Sequence, residues 1–237
     1  MDGIVDFHSH VLPGVDDGSA SVKESLAMLQ MEADHGIHRV IATPHFYPQT
    51  DSPERFLARR HAAESRLKEA MAEQGDLPEI ICGAEVYFFH GISDCDALPE
   101  LTIGKNRYVL VEMPMMPWTQ KMYVELEEIH AKRGITPIIA HVDRYLGMFN
   151  DHGIPKRLQD LPVLVQANAS FFLRSGSRGK ALRMLKRDQI HLLGSDCHSV
   201  KSRPPKLDEA LKIIEKNLSN DILERIVQYQ DQVLVGL

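Results

Sequence analysis

The sequence predicts an α/β chain folded as a distorted (β/α)7 barrel, with its functional site at the C-terminal face of the strands. Three observations carry the prediction. Seven short apolar runs have strand length, segments of helical period lie between them, and most runs end in a His, Glu or Asp.

The first run, residues 4–10, reads Ile4-Val5-Asp6-Phe7-His8-Ser9-His10, and the acidic pair Asp16-Asp17 follows before Gly18. Residues two apart on an extended chain point the same way, so both imidazoles can reach one point. Ser21-Val22-Lys23-Glu24 is a capping box ahead of Leu26, Leu29 and Ala33, with Gly36 as the stop. Residues 37–43 form the second run and lead into Pro44-His45. Ser52-Pro53 then opens a long amphipathic helix through Phe56, Leu57, Leu67 and Met71 that ends near Gly75. Residues 79–84 run into Glu85 and residues 108–111 into Glu112, and a third helix is expected over 119–134 through Val124, Leu126 and Ile129. Residues 135–140 end at His141, residues 163–165 lead into the polar stretch from Gln166 to Ser170, and residues 190–195 end at Asp196-Cys197-His198. Two more helices are expected over 207–218 and 222–229.

Strand–helix alternation calls for a parallel sheet with helical crossovers. Strands in an open sheet are spaced by about 4.8 Å, so its outermost ends could not share a compact site, whereas a barrel brings every end to one mouth.

The 237 residues suit one α/β barrel, so residues 1–237 are expected to form a single domain. A net charge of -6 leaves no broad basic field for nucleic acid. The start of the chain lacks the pattern of a secretion signal, and no apolar run approaches the roughly 20 residues of a membrane helix, so a cytoplasmic protein without membrane insertion is expected. Cys82, Cys95 and Cys197 are too scattered for a disulfide framework, which agrees with a reducing compartment.

Nine residues qualify as metal ligands by position: His8, His10, Asp17, His45, Glu85, Glu112, His141, Asp196 and His198. Any one of them alone has a bland explanation as a core or rim side chain. Together they would be costly to bury without cations. Ligand counting allows two or three divalent ions, and His with carboxylate but no thiolate suits manganese, iron or zinc. Such a cluster activates water at neutral pH and clamps phosphoryl oxygens, so hydrolysis is expected. Arg144 and Arg203 follow His141 and His198 closely and can reach the same mouth, where guanidinium groups bind phosphate in bidentate fashion or pair with rim carboxylates. His35, His38, His61, His90, His130, His152 and His191 read as non-ligands.

These segments resemble the PHP (polymerase and histidinol phosphatase) family of metal-dependent phosphoesterases, and more closely its bacterial protein-tyrosine phosphatases encoded with capsule and exopolysaccharide genes. The resemblance rests on Asp6-Phe7-His8-Ser9-His10 with Val15-Asp16-Asp17-Gly18, Ala42-Thr43-Pro44-His45, Gly83-Ala84-Glu85-Val86-Tyr87, Val111-Glu112, Ala140-His141 with Arg144-Tyr145, and Ser195-Asp196-Cys197-His198 with Arg203-Pro204-Pro205. It implies a PHP fold and a trinuclear centre. One ion would take His8, His10, Glu85 and Asp196, a second Glu85, Glu112 and His141, and a third Asp17, His45 and His198. It further implies manganese, phosphate binding by Arg144 and Arg203, and a substrate on the phosphotyrosine tail of a bacterial tyrosine autokinase that controls polysaccharide export. Val142-Asp143 and Lys206 depart from the family pattern and bear on substrate-facing detail.

Three competing readings are set against this one. Cys197 and Arg203 have the C-x5-R spacing of cysteine-dependent tyrosine phosphatases, although Pro204-Pro205 removes backbone donors that such a loop needs. A small-molecule phosphatase of the histidinol-phosphate type would share the metal scaffold and would need an acidic wall for a cationic amine. A scaffold without catalytic power would be expected to have lost a ligand. Tyr47, Met115, Trp118 and Tyr145 are candidates to flank a substrate ring.

Overall fold

The computed structural model describes residues 3–147 and 153–237. It contains nine strands among these residues: β1 (Val5–Ser9), β2 (Arg39–Ala42), β3 (His45–Phe46), β4 (Glu79–Cys82), β5 (Glu85–Tyr87), β6 (Tyr108–Glu112), β7 (Thr136–Ile139), β8 (Leu164–Asn168) and β9 (Leu192–Gly194). Every strand pairing among them is parallel. One sheet has the order β1-β2-β4 and the other β3-β5-β6-β7-β8-β9. Beyond β9 the chain returns to β1: the His10 amide donates to the Cys197 carbonyl at 2.9 Å and the Asp196 amide to the His8 carbonyl at 2.8 Å. The sheet is therefore curled, with its first and last strands in contact.

The seven apolar runs become nine strands because two of them are interrupted. Pro44 has no amide hydrogen to continue a ladder, and the second run breaks at Thr43-Pro44 before resuming at His45. The third run breaks at Gly83-Ala84 before Glu85. Both breaks fall immediately ahead of a site residue, and His45 and Glu85 emerge as direct neighbours in the pairing of β3 with β5.

The expected helices are α1 (Val22–Asp34), α2 (Pro53–Met71), α3 (Gln120–Arg133), α7 (Leu207–Asn217) and α8 (Asn220–Leu234). Ser21 caps α1 by accepting from the Glu24 amide, and Ser52 caps α2 by accepting from the Arg55 amide. Three further helices were not expected: α4 (Ile154–Gln159), α5 (Ala169–Leu173) and α6 (Ser175–Lys186). The reason is legible in α6, whose first turns read Ser175-Gly176-Ser177-Arg178-Gly179 and carry no apolar period. Between β5 and β6 the connection is built from 3-10 turns over Ile92–Asp94, Leu98–Leu101 and Ile103–Lys105 instead of an α-helix.

One buried apolar cluster collects Val5, Phe7, Ile41, Leu110, Ile138 and Leu192 from the strands, and Val233 and Leu234 of α8 join it. A larger cluster joins the opposite sides of the strands to the helices. The packing is tight where β9 passes β1. A Cβ on Gly194 would lie 2.6 Å from the His8 Cβ and 2.8 Å from Gln166 Nε2. Gly194→Ala is therefore expected to destabilise the fold by about 1–3 kcal/mol through overpacking. Denaturant unfolding checks this, and unchanged stability would mean that β1 yields freely at His8.

Candidate metal centre

The structure brings all nine proposed ligands to one mouth. His8 lies in β1 and His10 just after it; His45 and Glu85 open β3 and β5; Glu112 ends β6; His141 and Asp196 lie two residues beyond β7 and β9. Glu85, fully buried, sits at the middle. Its Oε2 is 3.1 Å from His8 Nε2, 3.3 Å from His10 Nε2 and 3.0 Å from His45 Nδ1, while Oε1 is 2.7 Å from His141 Nε2. Glu112 is 3.5 Å from His141 and 3.8 Å from His45. Asp17, the most exposed member, stands 3.7 Å from His45 Nε2 and 3.6 Å from His198 Nε2.

One quartet is decisive for the chemistry. His8 Nε2 and His10 Nε2 face each other at 3.1 Å, and Asp196 Oδ1 lies 3.6 Å from the first and 3.5 Å from the second. Glu85 Oε2 joins the two imidazole nitrogens in one compact set, with Asp196 beside the imidazoles at its edge. Ligands bonded at about 2.0–2.1 Å around a tetrahedral ion are separated by about 3.3 Å, so the spacing suits a cation. With His8 Nδ1 facing the Gln166 oxygen and His10 Nδ1 facing the Asp16 carboxylate, the neutral rings turn lone pairs towards each other at Nε2, and facing lone pairs repel unless a cation lies between them. His198 Nε2 supplies a second sign, being buried without a hydrogen-bond partner. Atoms of His10, Asp17, His45 and His198 form one compact potential ligand set, and those of His45, Glu85 and Glu112 another. His10 and His45 thus each lie near more than one group.

The electrostatics follow from this crowding. Burial alone would raise the Glu85 carboxyl, but the charge of His8 and the hydrogen bonds of His10, His141 and His45 hold it well below the usual carboxylate range. Glu112 moves the other way, because burial and the neighbouring Glu85 charge both favour its protonated form. Burial, His10 and Arg203 push His198 down to about 4, leaving its imidazole neutral and available as a donor.

Backbone conformation at the site is unusual as well. His141 and Asp196 have φ of 32° and 54°, in the left-handed region that non-glycine residues seldom occupy. Long-range contacts hold them there: the His141 amide donates to Gln166 Oε1 at 2.6 Å, and the Asp196 amide is tied to β1.

Both arginines reach Asp196. Arg144 Nη2 is 2.5 Å from Oδ2 and Arg203 Nη2 is 2.7 Å from Oδ1, and Arg144 also approaches Glu112 at 3.5 Å. The two guanidinium groups therefore stand together at the rim of the donor cluster, engaged with carboxylates.

Several supporting residues escaped the sequence reading. Asp16 accepts from His10 Nδ1 at 2.7 Å and from the His45 amide at 2.9 Å, Gln166 Oε1 lies 3.3 Å from His8 Nδ1, and Asn168 donates to Asp196 at 2.8 Å. Such partners fix the tautomer and direction of a ligand. A signal existed: Asp16 adjoins Asp17, and Gln166 and Asn168 stand at the end of a strand run that lacked a ligand. Tyr145 belongs with them. It is buried, with its hydroxyl 3.3 Å from His141 Nδ1 and accepting from the Met113 amide. Trp118 is buried against Tyr145 and Tyr123. Neither can flank a substrate ring, which corrects that expectation for both. Tyr47 and Met115 are exposed, and Tyr47 stacks on His45 at 5.0 Å.

The other histidines lie away from the cluster. His35 pairs with Asp208, His90 with Glu125 and His130 with Thr136, His61 lies beside Arg60, His191 accepts from the Val165 amide, and His38 is exposed. His152 lies outside the described residues. The cysteine-nucleophile reading does not survive. Cys197 is fully buried, and burial together with the Asp6 and Glu32 charges pushes its thiol well above its ordinary value, the reverse of an activated thiolate.

Comparison with known proteins gives the family and the fold. Residues 4–235 match the family model described as capsular polysaccharide synthesis, CpsB/CapC. The chain is 30% identical over 228 residues to the tyrosine-protein phosphatase CpsB of Streptococcus pneumoniae, covering 90% of both chains. It is 28% identical over 233 residues to the tyrosine-protein phosphatase YwqE of Bacillus subtilis, covering 92% of this chain and 87% of that one. Among solved structures it matches a chain from those of B. subtilis YwqE and S. pneumoniae CpsB, described as metal-dependent tyrosine phosphatases, with a TM-score of 0.86 at 22% identity over 97% of this chain and 94% of the other.

Proposed function

The chain belongs to the CpsB/CapC family of capsular polysaccharide synthesis, and from that premise we propose that it is a metal-dependent protein-tyrosine phosphatase. The observation that carries the reading is the convergence of His8, His10 and Glu85 on one point, with Asp196 beside the two imidazoles. In this reading these four hold one divalent ion, Glu85, Glu112 and His141 a second, and Asp17, His45 and His198 a third, with manganese as the metal and iron or zinc as alternatives. The interrupted pairs β2/β3 and β4/β5 count as single runs, so that residues 1–237 form one distorted (β/α)7 barrel of PHP type. Among the described residues no helix is long and apolar enough to cross a membrane. The proposed setting is cytoplasmic, with the phosphotyrosine tail of a bacterial tyrosine autokinase as substrate.

Bound divalent ions supply the polarisation that makes water nucleophilic at neutral pH and offset charge on phosphoryl oxygens. The chain's own residues do the remainder. Arg144 and Arg203 orient the phosphate and offset the charge that develops on its oxygens. Asp16, Gln166, Asn168 and Tyr145 hold the donor side chains in one arrangement, so little reorganisation is needed during the reaction. Tyr47 offers a ring face at the mouth for the tyrosyl group. The leaving phenolate has a conjugate acid with a pKa of about 10, which makes it a better leaving group than an alkoxide. The rim beside the arginines carries further cations, and the acidic side chains Asp16, Asp17 and Asp51 lie on the opposite flank.

The test is turnover of a phosphotyrosine peptide by protein of measured metal content. Chelation is expected to remove metal and activity together, and manganese to restore both, while Cys197→Ser keeps activity within about twofold because that thiol is not the nucleophile. Activity that survives complete metal removal overturns the proposal.

A further inference from the structure

Beside Arg144 and Arg203 lies a cavity of about 490 Å³ that reaches Asp196 of the donor cluster at one end of its lining. That volume exceeds what a phosphoryl group needs and falls in the range of ligand sites. Three more cations line it: Arg174, between α5 and α6, and Lys201 and Lys206, on the segment between His198 and α7. All three are exposed. Lys206 has a loose partner in Glu209 at 3.4 Å, while Arg174 and Lys201 have no ion pair among the described residues. The acids on this wall are already engaged: Asp196 with both arginines, and Asp143 as acceptor for the Asn168 amide at 3.0 Å.

The other flank of the centre has the opposite character. A depression of about 320 Å³ there is lined by Asp16, Asp17, Asp51 and Tyr47 with Arg59, and Arg59 is itself paired with Asp51. Attraction for anions is confined to one side of the mouth. A free phosphate needs only the two inner arginines. The outer three cations lie next to that position, within the same cavity, where groups flanking the scissile phosphate would fall.

We propose that Arg174, Lys201 and Lys206 form a second anion subsite that selects substrates carrying a carboxylate or a further phosphate close to the scissile phosphotyrosine. This rests on the phosphatase reading above and adds to it a substrate class: acidic or multiply phosphorylated segments. Paired charges so exposed are individually weak and are screened by salt, so the preference is modest and fades at high ionic strength.

The test measures binding of non-hydrolysable peptides to the metal-loaded enzyme by fluorescence anisotropy. Each peptide carries a phosphonomethyl-phenylalanine flanked by glutamates, by glutamines, or by a second phosphonate. Unaltered enzyme is expected to bind the glutamate or double-phosphonate peptide about tenfold more tightly than the glutamine one, the size that two or three partly exposed charge pairs provide. Whichever of the two binds more tightly identifies the natural flanking group. The triple variant R174A/K201A/K206A is expected to bring the ratio to within about twofold, and Lys201→Glu alone to shrink it. Equal binding of all three peptides by unaltered enzyme, or a ratio that persists in the triple variant, overturns the subsite. Turnover of a plain phosphotyrosine peptide is followed separately. If turnover is absent while the binding preference stands, the phosphatase reading fails and the anion subsite remains.

Discussion

Glu85→Gln is expected to lower turnover of a phosphotyrosine peptide by about a thousandfold, equivalent to roughly 4 kcal/mol in the barrier, and to remove most of the bound metal. The reason is its position. Four imidazoles, from His8, His10, His45 and His141, approach its two oxygens within 3.3 Å. No other carboxylate of the cluster touches as many. An amide of the same shape keeps the volume but cannot carry the negative charge that several cations would share, and its nitrogen would point a donor at one of the donor atoms. The change is isosteric in a buried site, so the fold should persist and far-UV circular dichroism should be unaltered. Elemental analysis together with the rate constant checks the prediction. A variant with full metal content and turnover within a few-fold of the parent would remove Glu85 from the centre.

Arg144→Gln and Arg203→Gln should each cost about a hundredfold in kcat/KM while the metal stays bound. The two arginines lie on the same carboxylate, Asp196, which leaves two explanations for any loss. If they act on phosphate, the ions remain and the rate falls. If their task is to hold Asp196 as a ligand, metal is lost along with the rate. Asn168 also donates to Asp196, so that carboxylate keeps a positioning partner in either variant. Arg144→Lys distinguishes further, since a lysine keeps the charge but not the two-pronged contact, and partial rescue is expected. Metal content that drops in step with activity in both variants would contradict phosphate binding.

Much of the site could be read along the chain because six of the seven apolar runs lead into a proposed ligand. The strand period places His8 and His10 on one side, and an apolar run followed by a single His, Glu or Asp is visible in a short window around His45, Glu85, Glu112 and His141. The positioning residues were less legible. Asp16 looked like a twin of Asp17, yet the structure turns one towards His10 and leaves the other exposed at the rim. Gln166 and Asn168 carry no charge to advertise a role, and their importance appears only once His8, His141 and Asp196 are packed against them. Tyr145 and Trp118 show the reverse error: their position after a ligand and in a proline-rich loop suggested the mouth, whereas the hydroxyl of Tyr145 is needed behind His141 and Trp118 covers it. The helix α6 was missed because a start of serine, glycine and arginine has no apolar stripe, and its packing against α5 supplies what its sequence lacks.

By itself the sequence determined the parallel α/β architecture, the order of the strand runs and the set of candidate metal donors, because these depend on periodicities and neighbours a few residues apart. Tertiary structure alone decided which carboxylate meets which imidazole, which strands break to aim His45 and Glu85, and that cations from residues 144 to 206 gather on one flank of the mouth. Those outcomes depend on register between strands and on backbone conformations such as those of His141 and Asp196, which contacts from distant segments impose and no local pattern encodes.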